Sequence, residues 1–131
     1  MAELFSDEWM KKFKDTWNTH SDVMEGLAPT GCQCYIGYGY QGEDTPRGYI
    51  AVESGTAMEA GAFEGQELNW DMRAKKETWD KWMQKPPGMM GLGTAVASGK
   101  MKFSTGDFKQ MAKDPAMAKP FIKTFAIMSE V

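Results

Sequence analysis

The sequence predicts a mixed α+β fold, and three observations lead to that class. An amphipathic helix with a heavily aromatic face comes first, strand-like alternation fills residues 32–75, and helical periodicity returns after Thr78. A chain of 131 residues with 42% hydrophobic and 25% charged side chains has the size and composition of one globular domain. We therefore treat residues 1–131 as a single domain.

The first helix is indicated by its cap and by its apolar face. Ser6 can cap the helix, and the acidic pair that follows it favours the positive end of the helix dipole. The apolar side chains fall within an arc of about 100°: Trp9, Met10, Phe13 and Trp17. A short second helix is expected at residues 22–27, before Pro29 and Gly31.

Strands are predicted next, because apolar and polar residues alternate with a period of about two. Four such segments are joined by short, turn-rich connections: 32–40, 49–54, 57–64 and 67–75. Short connections favour an antiparallel meander. Gly37 and Gly39 lie inside the first strand, where glycine usually marks a bulge or a close approach. Residues 100–104 are expected to form a fifth strand.

The second half is predicted to contain short helices. Thr78 can cap a helix that places Trp79, Trp82 and Met83 on one side. Residues 86–99 contain no charge, so a helix there should be covered on nearly all sides. Asp107 should begin a further short helix.

The last helix should begin at the Asp114–Pro115 pair, where a cap precedes proline at the first helical position. Its apolar face includes Phe121, Phe125 and Met128. Pro120 lies within this segment, so we expect either a kink or a regular helix that starts near residue 119.

The sequence lacks the residue patterns that several kinds of functional site require. The glycines of GLGTAVASGKMK do not form a phosphate-binding loop, because Gly93 and Gly99 are too far apart and Met101 replaces the hydroxyl residue. His20 is the single histidine, which excludes the usual triads and zinc clusters. We expect it in a surface or capping role. No cofactor and no metal are expected.

The two cysteines, Cys32 and Cys34, are separated by one residue. On one strand they would lie roughly 6.6 Å apart, which suits neither a relaxed disulfide nor, with one histidine, a zinc site. We therefore expect buried thiols in a reducing cytoplasm. The sequence contains no apolar run long enough to span a membrane and no leader-like segment, so we expect neither a span nor secretion.

Charge is distributed unevenly along the chain. The net charge is −3 with a pI near 5.2, which argues against nucleic-acid binding. Residues 99–131 carry six lysines and three acidic residues, which is +3. Two interpretations stay open: an ordinary solvated helix, or an anion-tolerant mouth for a lipid headgroup or phosphorylated carrier.

Residues 78–130 carry an ordered set of motifs. They are the Trp79–Trp82 pair, the run AVASGKMK at 95–102, the Gly106–Asp107 pair and the apolar segment 118–125. In this order they resemble the sterol carrier protein family of lipid-binding domains, of the single-domain bacterial or archaeal type. KPPGMM replaces the acidic residue that the family often has before its glycine-rich helix.

The resemblance implies an α+β fold in which a five-stranded, mostly antiparallel sheet is covered by helices and encloses an apolar tunnel. It also implies that the glycines near Ser98–Lys100 allow a helix to pack closely on the sheet. The implied function is non-enzymatic carriage of a sterol, fatty acid, fatty acyl-CoA or phospholipid. The expected tunnel lining is Trp82, Met83, Met89, Met90, Leu92, Phe103, Phe121, Phe125 and Met128.

Two alternatives remain beside lipid carriage. One is an interaction or dimerisation module that pairs through its methionine and tryptophan surface, or presents a substrate. The other is a small enzyme acting on a bound lipid, for which Tyr38 and Cys34 are the candidate polar groups. A homodimer and transient membrane contact are compatible with the resemblance.

Overall fold

The structure is a computed structural model that describes residues 2–31 and 33–131. Its helices are α1 (Asp7–Trp17), α2 (Ser21–Leu27), α3 (Lys76–Gln84), α4 (Met89–Ala97), α5 (Phe108–Ala112) and α6 (Pro115–Met128), with a 3-10 turn at Ala28–Thr30. Its strands are β1 (Gln33–Tyr40), β2 (Gly48–Glu53), β3 (Thr56–Ala62), β4 (Trp70–Ala74) and β5 (Met101–Thr105). The predicted α+β class with a mostly antiparallel, five-stranded sheet is confirmed.

Side-chain caps begin three of the helices where the sequence predicted them. Ser6 accepts a hydrogen bond from the Trp9 backbone N–H, and Asp107 and Asp114 cap α5 and α6 in the same way. The predicted cap at Thr78 is wrong, because α3 begins at Lys76 after an extended Lys75. Helix α6 runs from Pro115 to Met128 with Pro120 inside it.

The predicted meander is wrong at β4. The sheet order is β3-β2-β1-β4-β5, and β4 pairs with β1 in parallel. The reason lies at β3, whose outer edge is covered by α1. Asn18 exchanges two hydrogen bonds of 2.9 and 3.0 Å with the backbone of Ala57, and Asp7 accepts one from the Ala62 N–H. These side chains occupy backbone groups that a neighbouring strand would need, so β4 pairs on the far side of β1.

The main core lies between the helices and one face of the sheet. Phe5 and Phe13, from the start of the chain and α1, place their rings 5.6 and 5.8 Å from that of Tyr38 on β1. Trp79 of α3 is fully buried beside them, and its indole N–H donates a 2.8 Å hydrogen bond to the Gly39 carbonyl. The aromatic face predicted for α1 is therefore a core face.

Loops cover the opposite face of the sheet. A Cβ added at Gly37 would come within 2.6 Å of Leu68, and one at Gly39 would come within 2.8 Å of Pro46. The predicted close approach at these two glycines is confirmed. Asp71 and Arg73 form a buried ion pair of 2.6 Å on β4.

Cys34 is disulfide-bonded, so the expectation of a free thiol at this position is wrong. The side chain of Cys34 is buried, as expected. Cys32 lies outside the described residues.

Gly55 and Gly42 provide a matched test of the turn that docks α2 against the β2–β3 hairpin. Both have a positive φ, 90° and 91°, but a Cβ at Gly55 would overlap the Met24 carbonyl, whereas one at Gly42 has open space. We expect Gly42→Ala to cost about 1–2 kcal/mol of unfolding free energy through backbone strain. Gly55→Ala should cost about 2 kcal/mol more, because the clash adds to that strain. Urea denaturation measures both, and equal losses would contradict the predicted packing.

Candidate functional site

Most of the residues predicted to line a tunnel lie together between α3, α6 and the sheet. Trp82 and Phe121 each place a ring 5.7 Å from that of Phe125, and Phe103 lies 6.4 Å from Phe121. Leu92 and Met128 are buried in the same core, while Met83 and Met89 are half-buried against it. We call these eight residues the apolar cluster. Met90, the ninth predicted residue, is 87% exposed and lies apart from them.

The rings of the apolar cluster are in mutual contact. Three grooves of about 560, 390 and 540 Å³ open on the surface, and of these the first is lined by one cluster residue, Trp82. None of these three is an enclosed tunnel. A ligand inside the cluster would therefore have to separate side chains that touch in this structure.

The groove of about 560 Å³ lies between α3 and α4. Its lining includes the apolar surfaces of Trp82, Pro87 and Ala95. Its charged residues are Lys75, Lys81, Lys85 and Lys100, with Glu77 as the one carboxylate. The groove thus combines an apolar floor with a largely cationic rim.

Helix α4 is less covered than its composition predicted. Leu92 and Ala95 are its buried residues, whereas Met90, Thr94 and Ala97 are exposed. The expectation of cover on nearly all sides is therefore wrong. The helix packs through Leu92 and Ala95, with Met89 and Val96 partly buried beside them, and its exposed side is made of small uncharged residues and Met90.

The glycines of this segment do not serve close helix–sheet packing, so that implied role is wrong. A Cβ at Gly93 or Gly99 would meet nothing within 4 Å, and one at Gly91 would make an ordinary 3.7 Å contact with Pro87. Gly99 instead has a φ of 80°, and it forms the turn between α4 and β5 that a larger residue would strain.

Comparison with known proteins finds solved structures that share this architecture. No model of a protein family and no curated protein matches the sequence. The crystal structure of sterol carrier protein 2 matches with a TM-score of 0.78 and 16% identity, covering 98% of this chain and 99% of that one. The chain has the sterol carrier protein fold. At this level of identity the similarity concerns the fold alone.

Two further solved structures share this fold. A conserved hypothetical protein of Thermus thermophilus, described as a candidate sterol carrier protein, matches with a TM-score of 0.65 and 15% identity over 96% of this chain and 90% of that one. The ubiquinone synthesis protein UbiJ-SCP2 matches with a TM-score of 0.60 and 10% identity over 93% of this chain and 92% of that one.

Within the sterol carrier protein fold, the apolar cluster extends to a residue that sequence reasoning missed. The ring of Trp70 lies 5.9 Å from Phe103 and 5.8 Å from Phe121. Trp70 stands in the alternating pattern of β4, which is typical of ordinary core, so the pattern carried no sign of its contact with α6. No local signal in the sequence marks Trp70 as a neighbour of α6.

Polar groups near the interior of this sterol carrier protein fold are few. Tyr38 is fully buried, and its hydroxyl makes no hydrogen bond with any described residue. Burial raises the pKa of this hydroxyl far above its ordinary value, so it stays protonated at neutral pH. Cys34, the other candidate, is held in a disulfide.

His20 lies at the surface, where its ring lies between α2 and the C-terminal end of the chain. Its Nε2 is 3.0 Å from Glu130 and its Nδ1 is 3.8 Å from Asp22. Within the part of the chain that the structure describes, no three potential metal ligands cluster together, and no helix has the length and apolarity to cross a bilayer.

We expect Tyr38→Phe to stabilise the protein by about 1 kcal/mol, because an unpartnered buried hydroxyl costs about that much or more. Tyr49→Phe is the matched control. The Tyr49 hydroxyl donates to Glu59, so its loss should destabilise by about 1 kcal/mol. Thermal or urea unfolding compares the two variants. A clear loss of stability in Tyr38→Phe would show that its hydroxyl has a partner.

Proposed function

We propose that the protein binds an apolar lipid and carries it without catalysing a reaction. The ligand class is that of a sterol, fatty acid, fatty acyl-CoA or phospholipid. The observation that carries the proposal is the match to sterol carrier protein 2, which extends over nearly the whole of both chains. The composition of the apolar cluster supports it, since aromatic and thioether side chains adapt to flexible hydrocarbon.

The lipid would lie among the residues of the apolar cluster, between α6 and the sheet. This arrangement requires α6 to move, because Phe121, Phe125 and Met128 all belong to it. Burying roughly ten methylene groups would contribute about 8 kcal/mol. Separating an aromatic pair costs about 1 kcal/mol, so a hydrocarbon chain could replace several such contacts. Pro120 supports movement of this helix, since it cannot donate a backbone hydrogen bond to the preceding turn.

The side chains of the apolar cluster are not suited to carrying out a chemical step. Phenyl, indole and thioether groups neither transfer protons nor attack carbonyl carbons under physiological conditions. A cytoplasmic location remains a prediction from the sequence.

Phe103 and Phe63 provide a matched pair for testing this function. Both side chains are half-buried, but Phe103 belongs to the apolar cluster, whereas Phe63 lies in the loop between β3 and β4. We expect Phe103→Ser to weaken binding of a fluorescent fatty acid about tenfold, because the ligand loses one aromatic contact surface. Phe63→Ser should leave the affinity unchanged. Titration by fluorescence measures both.

Native mass spectrometry of the purified protein and lipid extraction provide an independent check. We expect a long-chain apolar molecule to accompany the protein. A protein that is consistently empty and also fails to bind fluorescent fatty acids would contradict lipid carriage.

A second candidate function is that of a module that presents a lipid to partner proteins. The similarity to a ubiquinone synthesis protein supports this alternative. In that case light scattering should detect a stable dimer or a complex with a partner enzyme. The isolated protein should also fail to move lipid between vesicles, whereas a carrier should do so alone.

A further inference from the structure

The groove between α3 and α4 has a charge opposite to that of the chain as a whole. Four lysines and one glutamate give its lining a formal charge of +3. The whole chain carries −3, so the residues outside the lining together carry −6. Among the described residues, none of these four lysines pairs with a carboxylate, whereas Lys11, Lys76 and Lys123 do.

An exposed apolar side chain belongs to α4, the helix that forms one side of this groove. Met90 is 87% exposed, more than the other large hydrophobic residues that reach the surface in the described part, Met58 at 56% and Val131 at 37%. On α4 it shares a stripe with Thr94 and Ala97, which are also exposed and uncharged. Lys85 precedes this helix and Lys100 follows it, so cations border both of its ends.

We propose that this surface, formed by α4 and the lysines of the groove, docks the protein onto an anionic bilayer leaflet. Met90 would enter the boundary between headgroups and acyl chains, while Lys81, Lys85 and Lys100 would contact lipid phosphates. The inference rests on the proposed function, since a lipid carrier must meet a membrane to load and unload. It names the face through which that exchange occurs.

The side chains on this surface favour a bilayer over a protein partner. The centre of a protein interface usually contains several large aromatic or aliphatic residues and few lysines. Here the exposed side of α4 carries one methionine among glycine, threonine and alanine, and the adjoining groove is lined by four lysines. A headgroup layer suits that arrangement, because it accepts a single apolar side chain and attracts each nearby lysine.

The charge of the remaining surface would orient the molecule. An anionic leaflet attracts the groove and repels the acidic residues elsewhere, so the protein would approach with α4 facing the membrane. Trp82 lines the groove and also contacts Phe125 in the apolar cluster. The docking face therefore adjoins the interior in which the lipid is proposed to lie.

The test is co-sedimentation with vesicles of phosphatidylcholine that contain phosphatidylglycerol, compared with vesicles of phosphatidylcholine alone. We expect binding to the anionic vesicles that weakens as salt is raised. The double reversal Lys85→Glu with Lys100→Glu should lower the partition coefficient at least tenfold. Lys109→Glu with Lys113→Glu makes the same change in net charge outside the groove and should lower it much less. Met90→Ser should weaken binding severalfold, whereas Met58→Ser should leave it unchanged.

Solution binding of a fluorescent fatty acid, measured on the same variants without vesicles, separates docking from carriage. Variants that lose vesicle binding but keep fatty-acid affinity support the docking surface. Loss of fatty-acid affinity in the Lys85 and Lys100 variant would overturn it, because the groove would then hold the ligand itself.

Three other results would also overturn the docking surface. The first is an equal loss of vesicle binding in the groove variant and in the control lysine variant. The second is wild-type protein that does not bind anionic vesicles. The third is a wild-type dimer that Met90→Ser dissociates. None of these results contradicts the proposed function. That function is contradicted only if neither the wild type nor any variant binds fatty acid. Since Met90, Lys85 and Lys100 are exposed, we expect all variants to fold, and their thermal unfolding should match that of the wild type.

Discussion

The contacts of Trp79 connect the two halves of the molecule. Its buried ring lies 5.0 Å from that of Phe5, 6.2 Å from Tyr38 and 6.4 Å from Phe125, so it touches the start of the chain, the sheet and α6. Its indole N–H is satisfied by the Gly39 carbonyl at 2.8 Å. A buried tryptophan needs such a partner. This hydrogen bond ties α3 to β1, and the ring that it holds in place packs against α6.

This arrangement makes stability and the proposed lipid binding depend on some of the same side chains. Phe125 contacts Trp79, which organises the core, and also contacts Trp82 and Phe121 of the apolar cluster. If a lipid enters by displacing α6, the contact between Phe125 and Trp79 is the point at which that movement reaches the core. The ring contacts of Phe5 and Phe13 with Tyr38 of the sheet do not involve α6.

Features that depend on neighbouring residues could be predicted from the sequence. Ser6, Asp107 and Asp114 cap their helices because the acceptor and the backbone N–H lie within three residues. The parallel pairing of β4 with β1 could not be predicted, since it follows from Asn18 and Asp7 covering β3 from far along the chain. Local alternation reports which residues form a strand, but carries no information on the strand's neighbour.

The candidate site shows the same division between local and distant determinants. Phe121 and Phe125 could be grouped because they lie on one face of a helix, and the contact with Trp82 agrees with that grouping. Trp70 could not be assigned to the site because its contact with Phe121 joins a strand and a distant helix. The exposure of Met90 was also unpredictable, because the uncharged composition of α4 is equally typical of a helix buried in a core.

Trp82 connects the two surfaces on which the proposals depend. One part of this side chain lines the groove that the lysines border, and its ring lies 5.7 Å from Phe125 inside the protein. A lipid that passes from a leaflet at α4 to the apolar cluster would therefore have to pass this indole. The α4 residues that line the groove, Gly91, Thr94 and Ala95, are small, whereas α3 contributes Lys81 and Trp82, so α4 presents less side-chain bulk to such a passage. The glycine-rich, uncharged α4 is thus better suited to being a movable wall of an entrance than a support for the fold.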